Sequence, residues 1–265
     1  YDKFCGRAAV ERAETDLEIL FEDADIVLIN KPAGMLSQST GDGTPSVNEY
    51  LIGYLLGKGA VTEESLRTFR PAVCNRLDRN TSGIIAAGKS LKGLQQLSRV
   101  FHDRTVHKDY LTLVDGVLKK EKKIKGYLIK DPNTNKVQIL EQAAAEALPI
   151  ETRYTPLGDN GSVTLLKVRL ITGRAHQIRA HLAGIGHPIL GDKKYASQKS
   201  VSSAYRHQLL HACRLEFPED MGELDTLKGK VVLAPLPEAF HKILTKEKLD
   251  SALEQVLSGN DTHTS

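Results

Sequence analysis

Along the chain the apolar residues switch repeatedly between the period of a strand and the period of a helix. Residues 17–21 and 26–29 are short apolar runs separated by Glu22, Asp23, Ala24 and Asp25, the pattern of a hairpin; Lys31, Pro32 and Gly34 then break the ladder. A helix follows, because Ser46 can cap it while Glu49 reaches back in a capping box, and Val47, Tyr50, Leu51, Tyr54 and Leu55 fall on one face. Residues 72–74 and 84–87 read as strands, and Leu91, Leu94, Leu97 and Phe101 mark a second amphipathic helix. The stretch NRLDRNTSG, residues 75–83, is thereby placed in a loop between strands.

Residues 106–114 alternate as a strand, with Tyr110, Thr112 and Val114 facing one way. Two hairpins are predicted after it: 126–130 with 136–140 around DPNTN, and 150–154 with 163–170 around GDNG. Residues 171–173 break the strand, and 175–183 read as a short helix with Ile178 and Leu182 on its buried side. A strand over 209–217 and a helix over 237–244 complete the pattern, and the polar end 258–265 is expected to fray. Hairpins with interspersed helices predict an α+β fold with a mixed, mostly antiparallel central sheet and flanking helices.

Composition bounds the rest. With 265 residues, 40% hydrophobic and 26% charged, the chain can bury a substantial core. No apolar run approaches the roughly 20 residues that span a bilayer, and no signal-peptide pattern is seen, so the cytoplasm is the default location. Cys5, Cys74 and Cys213 lie far apart, which suits reduced thiols. A net charge of +3 is mild. Its distribution says more: KKEKKIK at 119–125 and a later group of Arg169, Arg174, Arg179, Lys193 and Lys194 allow a basic face, although the lysine run taken alone reads as a solvated loop.

Within NRLDRNTSG, an extended backbone would project Arg76 and Asp78 to one side and Leu77 to the other. A carboxylate beside a guanidinium favours a nucleophile or an electrostatic stabiliser over a general acid, and equally suits a structural ion pair that pins a loop. A second constellation, TGRAHQIRAHL at 172–182, sets Gly173 and Arg174 at a strand end before a helix whose free amides suit an anion such as phosphate, with Arg179 on that helix. His176, His181 and His187 lack the cysteine or paired carboxylates that would complete a zinc set, so no metal is expected.

Together NRLDRNTSG, KDYLTLVDG and TGRAHQIRAHLAGIGHPILGDKKY resemble the RluA-like family of RNA pseudouridine synthases, and INKPAG at 29–34 and LLHACRLEF at 209–217 resemble that family's opening hairpin and last strand. The resemblance runs in order from about Leu17 to about Leu244. It implies a basic catalytic cleft in which Asp78 is the catalytic aspartate, paired with Arg179, and Tyr110 of the Lys-x-Tyr pattern begun by Lys108 lies against the base. Arg76 would help displace the target nucleotide, Ile178 would wall the uracil pocket, and Arg79, Lys108, Arg174, His176 and Gln177 complete the expected substrate contacts. The Thr81 to Gly83 turn would hold the loop, with glycine where φ is positive or a side chain would collide.

The implied activity is isomerisation of uridine in RNA, ribosomal large-subunit RNA first, by a monomer without cofactor. Two positions depart from the family: Asn75 stands where His is usual, and Ala175 where Thr is usual. The expected organisation is a remnant or linker over 1–15, a catalytic domain over 16–245 and a polar tail over 246–265. A non-catalytic RNA-binding or ribosome-assembly module, and a ribonucleoside hydrolase, are the competing readings.

Overall fold

The computed structural model describes residues 17–131, 134, 136–196 and 205–257. Eleven strands form one sheet: β1 (Glu18–Glu22), β2 (Ile26–Lys31), β3 (Ala72–Val73), β4 (Ser82–Gly88), β5 (His107–Asp115), β6 (Lys122–Lys130), β7 (Val137–Leu140), β8 (Leu148–Asp159), β9 (Val163–Leu170), β10 (Leu210–Glu216) and β11 (Val231–Leu233). Their order is β1-β2-β4-β10-β5-β9-β8-β6-β7, with β3 also paired to β4 and β11 to β10. Only the β4–β10 pairing is parallel among these strands. The predicted mixed, mostly antiparallel sheet is the observed one.

Strand alternation decides which face each residue covers. On one face Val27, Ile29, Tyr110, Val114, Leu166 and Val168 pack with Leu51 and Leu55 of α1 (Val47–Gly57) and with Ile178 and Leu182 of α4 (Gln177–Gly184). On the other, Ile26, Leu28, Ile84 and Ala86 meet Leu97 and Val100 of α3 (Leu91–His102), while Leu111, Leu113, Val163 and Leu165 meet Phe240 and Leu244 of α5 (Glu238–Lys246). A short helix, α2 (Ser65–Thr68), precedes β3.

The capping box at the start of α1 forms as expected: the Ser46 amide donates to Glu49 at 2.8 Å, and the Ser46 hydroxyl accepts from the Asn48 amide. Elsewhere the sequence reading needs correction. Leu91 is 57% exposed; Gly93, Leu97 and Val100 form the buried stripe of α3, because Ser90 caps the helix and Gly93 sits directly on the Asp25 carbonyl. The lysine run is not a loop, since Lys122–Lys125 open β6, where Ile124 is buried and Lys123 pairs with Glu151 at 3.0 Å. Nor are residues 246–257 a loose polar tail: α6 (Asp250–Leu257) follows Leu249, and Leu249, Ala252 and Leu253 are buried beside α5. Residues 1–15, most of DPNTN and 258–265 lie outside the described residues.

The parallel join of β4 to β10 positions the site. Gly83 has φ +114°, and a Cβ there would stand 2.2 Å from the Ala212 carbonyl oxygen, so both reasons for glycine hold at once. Beside it the Ser82 hydroxyl meets His211 Nδ1 at 2.9 Å in the buried interior.

Candidate active site

The loop between β3 and β4 carries Asp78, and three brackets hold it. Lys31 ends β2 fully buried, with its ammonium donating to the carbonyls of Pro32 (2.9 Å), Met35 (2.8 Å) and Arg79 (3.0 Å). Its pKa is pushed down to about 7 by burial, against the opposing charge of Asp78. Ser37 brackets Leu77, accepting from its amide at 3.0 Å and donating to its carbonyl at 2.7 Å, while Leu77 is anchored in the core. Asn75 stitches the loop to β4: its amide donates to the Ile84 carbonyl and its oxygen accepts from the Ala86 amide at 2.7 Å. Asparagine at that position is thus bonded to backbone, whatever a histidine would do there.

Across the cleft, α4 presents Arg179. Its Nη1 donates to Asp78 Oδ2 at 2.7 Å. Its Nε and Nη2 fork onto the buried Asp192 at 2.7 and 2.8 Å, so the guanidinium is a fixed bridge between two carboxylates, one sealed and one facing the cleft. Burial opposes the Arg179 charge, but the hydrogen bonds and charges of Asp192 and Asp78 outweigh it and raise the pKa above the usual value. Asp192 also accepts from the amides of Lys194 and Tyr195. The neighbour that pairs with Asp78 is therefore neither Arg76 nor Arg79 but a residue 101 positions away.

His176 precedes α4 in the left-handed region, at φ 55°, so the helix begins at Gln177, two residues later than its apolar spacing predicts. Its Nδ1 lies 2.8 Å from the Tyr195 hydroxyl, which itself accepts from the Val137 amide at 3.1 Å. The other ring nitrogen, Nε2, stands 3.8 Å from Asp78 Oδ1. Burial lowers the His176 pKa despite the nearby Asp78, which keeps the ring neutral near pH 7. His181 and His187 go elsewhere, to the Thr152 hydroxyl and the Asp115 carbonyl.

A cleft of about 790 Å³ opens beside Asp78. Arg76, Asp78, Lys108, Tyr110, Arg174, His176, Gln177, Ile178 and Arg179 all border it. Asp78 is the single carboxylate among the lining residues, against four guanidinium or ammonium groups. Tyr110 lies on the floor, and burial followed by the Asp78 charge pushes its phenol above the ordinary range, so it remains a neutral hydroxyl.

Two of the expected substrate contacts make hydrogen bonds within the protein. Arg79 is exposed, lies outside the residues that line the cleft, and donates from Nε to the Gly34 carbonyl at 3.0 Å. Gln177 borders the cleft but its amide is fully engaged: the nitrogen donates to the Glu151 carbonyl and the Thr152 hydroxyl, and the oxygen accepts from the Thr172 hydroxyl and the Arg174 amide. Sequence reasoning missed Lys31, Ser37, Asp192 and Tyr195. A lysine closing an apolar strand was a usable signal for the first; the others become site residues only through packing.

A profile of RNA pseudouridylate synthases matches residues 25–184. An uncharacterised RNA pseudouridine synthase of Mycoplasma genitalium is 34% identical over 220 residues, 80% of this chain and 66% of that protein. The ribosomal large subunit pseudouridine synthase C of Pasteurella multocida is 33% identical over 242 residues, 88% of this chain and 68% of that one. The chain thus spans about two thirds of the length of these curated relatives. The human RNA pseudouridylate synthase domain containing 4 shares the fold, with a TM-score of 0.69 at 22% identity over 87% of this chain and 93% of that one. By the profile and by these relatives, the chain belongs to the RNA pseudouridylate synthase family.

Proposed function

We propose that this protein isomerises uridine to pseudouridine within RNA, with Asp78 as the catalytic carboxylate. The observation that carries the reading is the 2.7 Å pair between Asp78 and Arg179, bordering a cleft whose lining holds no other carboxylate and three further Lys or Arg side chains. The reaction breaks the bond from ribose C1′ to uracil N1 and forms one to C5, with a proton lost at C5 and one gained at N1. Nothing is oxidised or reduced, so the chemistry calls for no cofactor. The target base must leave its stack, at a cost of a few kcal/mol. Arg76, exposed at the cleft border, suits the vacated place, and Ile178 and Tyr110 offer an apolar wall and floor for the uracil. Asp192 keeps Arg179 aimed, so the charge beside Asp78 needs no rearrangement when the reaction begins.

Arg76, Lys108 and Arg174 have no carboxylate partner among the described residues, which favours a polyanionic substrate over a free nucleoside. Relatives named for the ribosomal large subunit support ribosomal RNA as that substrate. We place the activity in a cytoplasmic monomer; no helix among the described residues is long and apolar enough to cross a membrane, and Cys74 and Cys213 are free thiols. Incubation with ribosomal RNA carrying tritium at uridine C5 is expected to release tritium to water, and Asp78→Asn to stop the release while the protein stays folded. Release at the wild-type rate in that variant would remove Asp78 from the mechanism, and free uracil as product would replace isomerisation by hydrolysis.

A further inference from the structure

The cleft extends past Asp78 to the C-terminal end of α3, where Ser98, Phe101 and His102 border it. There the Lys108 ammonium stands 5.9 Å from the centre of the Phe101 ring, about the limit of a cation–π contact. Lys108 accordingly lacks a hydrogen-bond or carboxylate partner among the described residues, although it is half-buried. The missing side chain of Gly173 leaves it reachable, since a Cβ there would come within 3.2 Å of the Lys108 Nζ. Lys108 and Tyr110 lie on the same face of β5, two residues and so about 7 Å apart along the strand, the order of one nucleotide step.

We propose that Phe101 and Lys108 form a second nucleotide subsite, in which the base next to the target uridine stacks on the Phe101 ring and the phosphate joining the two nucleotides rests on the Lys108 ammonium. The inference rests on the reading that RNA enters this cleft. An aromatic face beside a cation is the combination that holds single-stranded nucleic acid without regard to sequence. Burial and the nearby Arg104 lower the Lys108 pKa, as befits a cation whose counter-charge arrives with the ligand.

Binding, not turnover, tests it. The wild-type chain is titrated with uridine 5′-monophosphate and with the dinucleotide pUpU. The dinucleotide is expected to bind on the order of 10-fold tighter. Phe101→Ala and Lys108→Gln should each remove most of that gain, and Lys108→Gln should also flatten the slope of log affinity against log salt by about 0.7. Phe101 is partly buried against the core, so Phe101→Tyr, which keeps the ring, serves as the folding control and should retain the gain. No gain in the wild type, or a gain that survives both Phe101→Ala and Lys108→Gln, overturns the subsite. A wild type that shows the gain yet releases no tritium from C5-labelled RNA sinks the isomerase reading and leaves the subsite standing.

Discussion

Two arginine–carboxylate networks lie on opposite faces of the same sheet, and adjacent residues of β5 mark them. Tyr110 borders the cleft that holds Asp78 and Arg179; Asp109 faces the other way, where Arg169 forks onto it at 2.7 Å through both oxygens and Arg214 adds a third contact at 3.3 Å. The Asp109 side chain is 2% exposed and the Asp78 side chain 24%. Around Asp109 the carboxylate is sealed between two arginines. Around Arg179 the sealed carboxylate is Asp192, and Asp78 is left partly exposed at the cleft. A carboxylate boxed by guanidinium groups is therefore a structural pin or a reactive group according to whether a second acid takes over the burial.

That contrast can be broken in graded steps. Asp192→Asn should do most damage: it leaves a buried guanidinium half-compensated, costing about 3–5 kcal/mol, on the order of 10 °C in Tm, and it lets Arg179 turn from Asp78, so both melting and pseudouridine formation fall. Asp109→Asn should cost about 3 kcal/mol in a urea titration while the activity per folded molecule stays near wild type. A loss of turnover without a loss of stability there would erase the distinction between the two faces.

Acid should act on the interior that joins them. His211 is fully buried on β10, and burial pushes its pKa down to about 4 from 6.5. The unfolded chain binds this proton first, so stability is full above pH 6.5 and falls by up to about 3 kcal/mol as the pH drops toward 4. His211→Gln should flatten this part of the urea midpoint against pH. Smallest of all, Ser46→Ala removes the α1 cap, which makes no contact with Asp78 or Arg179, at a cost of about 1 kcal/mol with turnover close to wild type.

Much of this molecule is written locally. The β1–β2 hairpin, the capping box and the alternation of β5 depend on neighbours in sequence, and they stand where the pattern puts them. Asp78 and Arg179 were legible by resemblance to a family, since no periodicity relates residues 101 apart. Geometry then adds what sequence could not show: Arg79 Nε bonds the Gly34 carbonyl, the Gln177 amide is filled by two backbone groups and two threonine hydroxyls, and Asp192 anchors the central guanidinium. Leu91 misled because it shares a helical face with Leu94 yet precedes the point where α3 meets the sheet. Helix α6 was overlooked although Leu249, Ala252 and Leu253 already carry its apolar spacing.

The central claim is that a cleft-facing Asp78, aimed by Arg179, performs the chemistry. Its most direct test is a single-turnover assay in which excess protein is mixed with RNA and the digested nucleosides are separated over time. Asp78→Asn should bind the RNA about as well as wild type and form pseudouridine on the order of 10³-fold more slowly or not at all. Pseudouridine appearing at the wild-type rate from that variant would contradict the account.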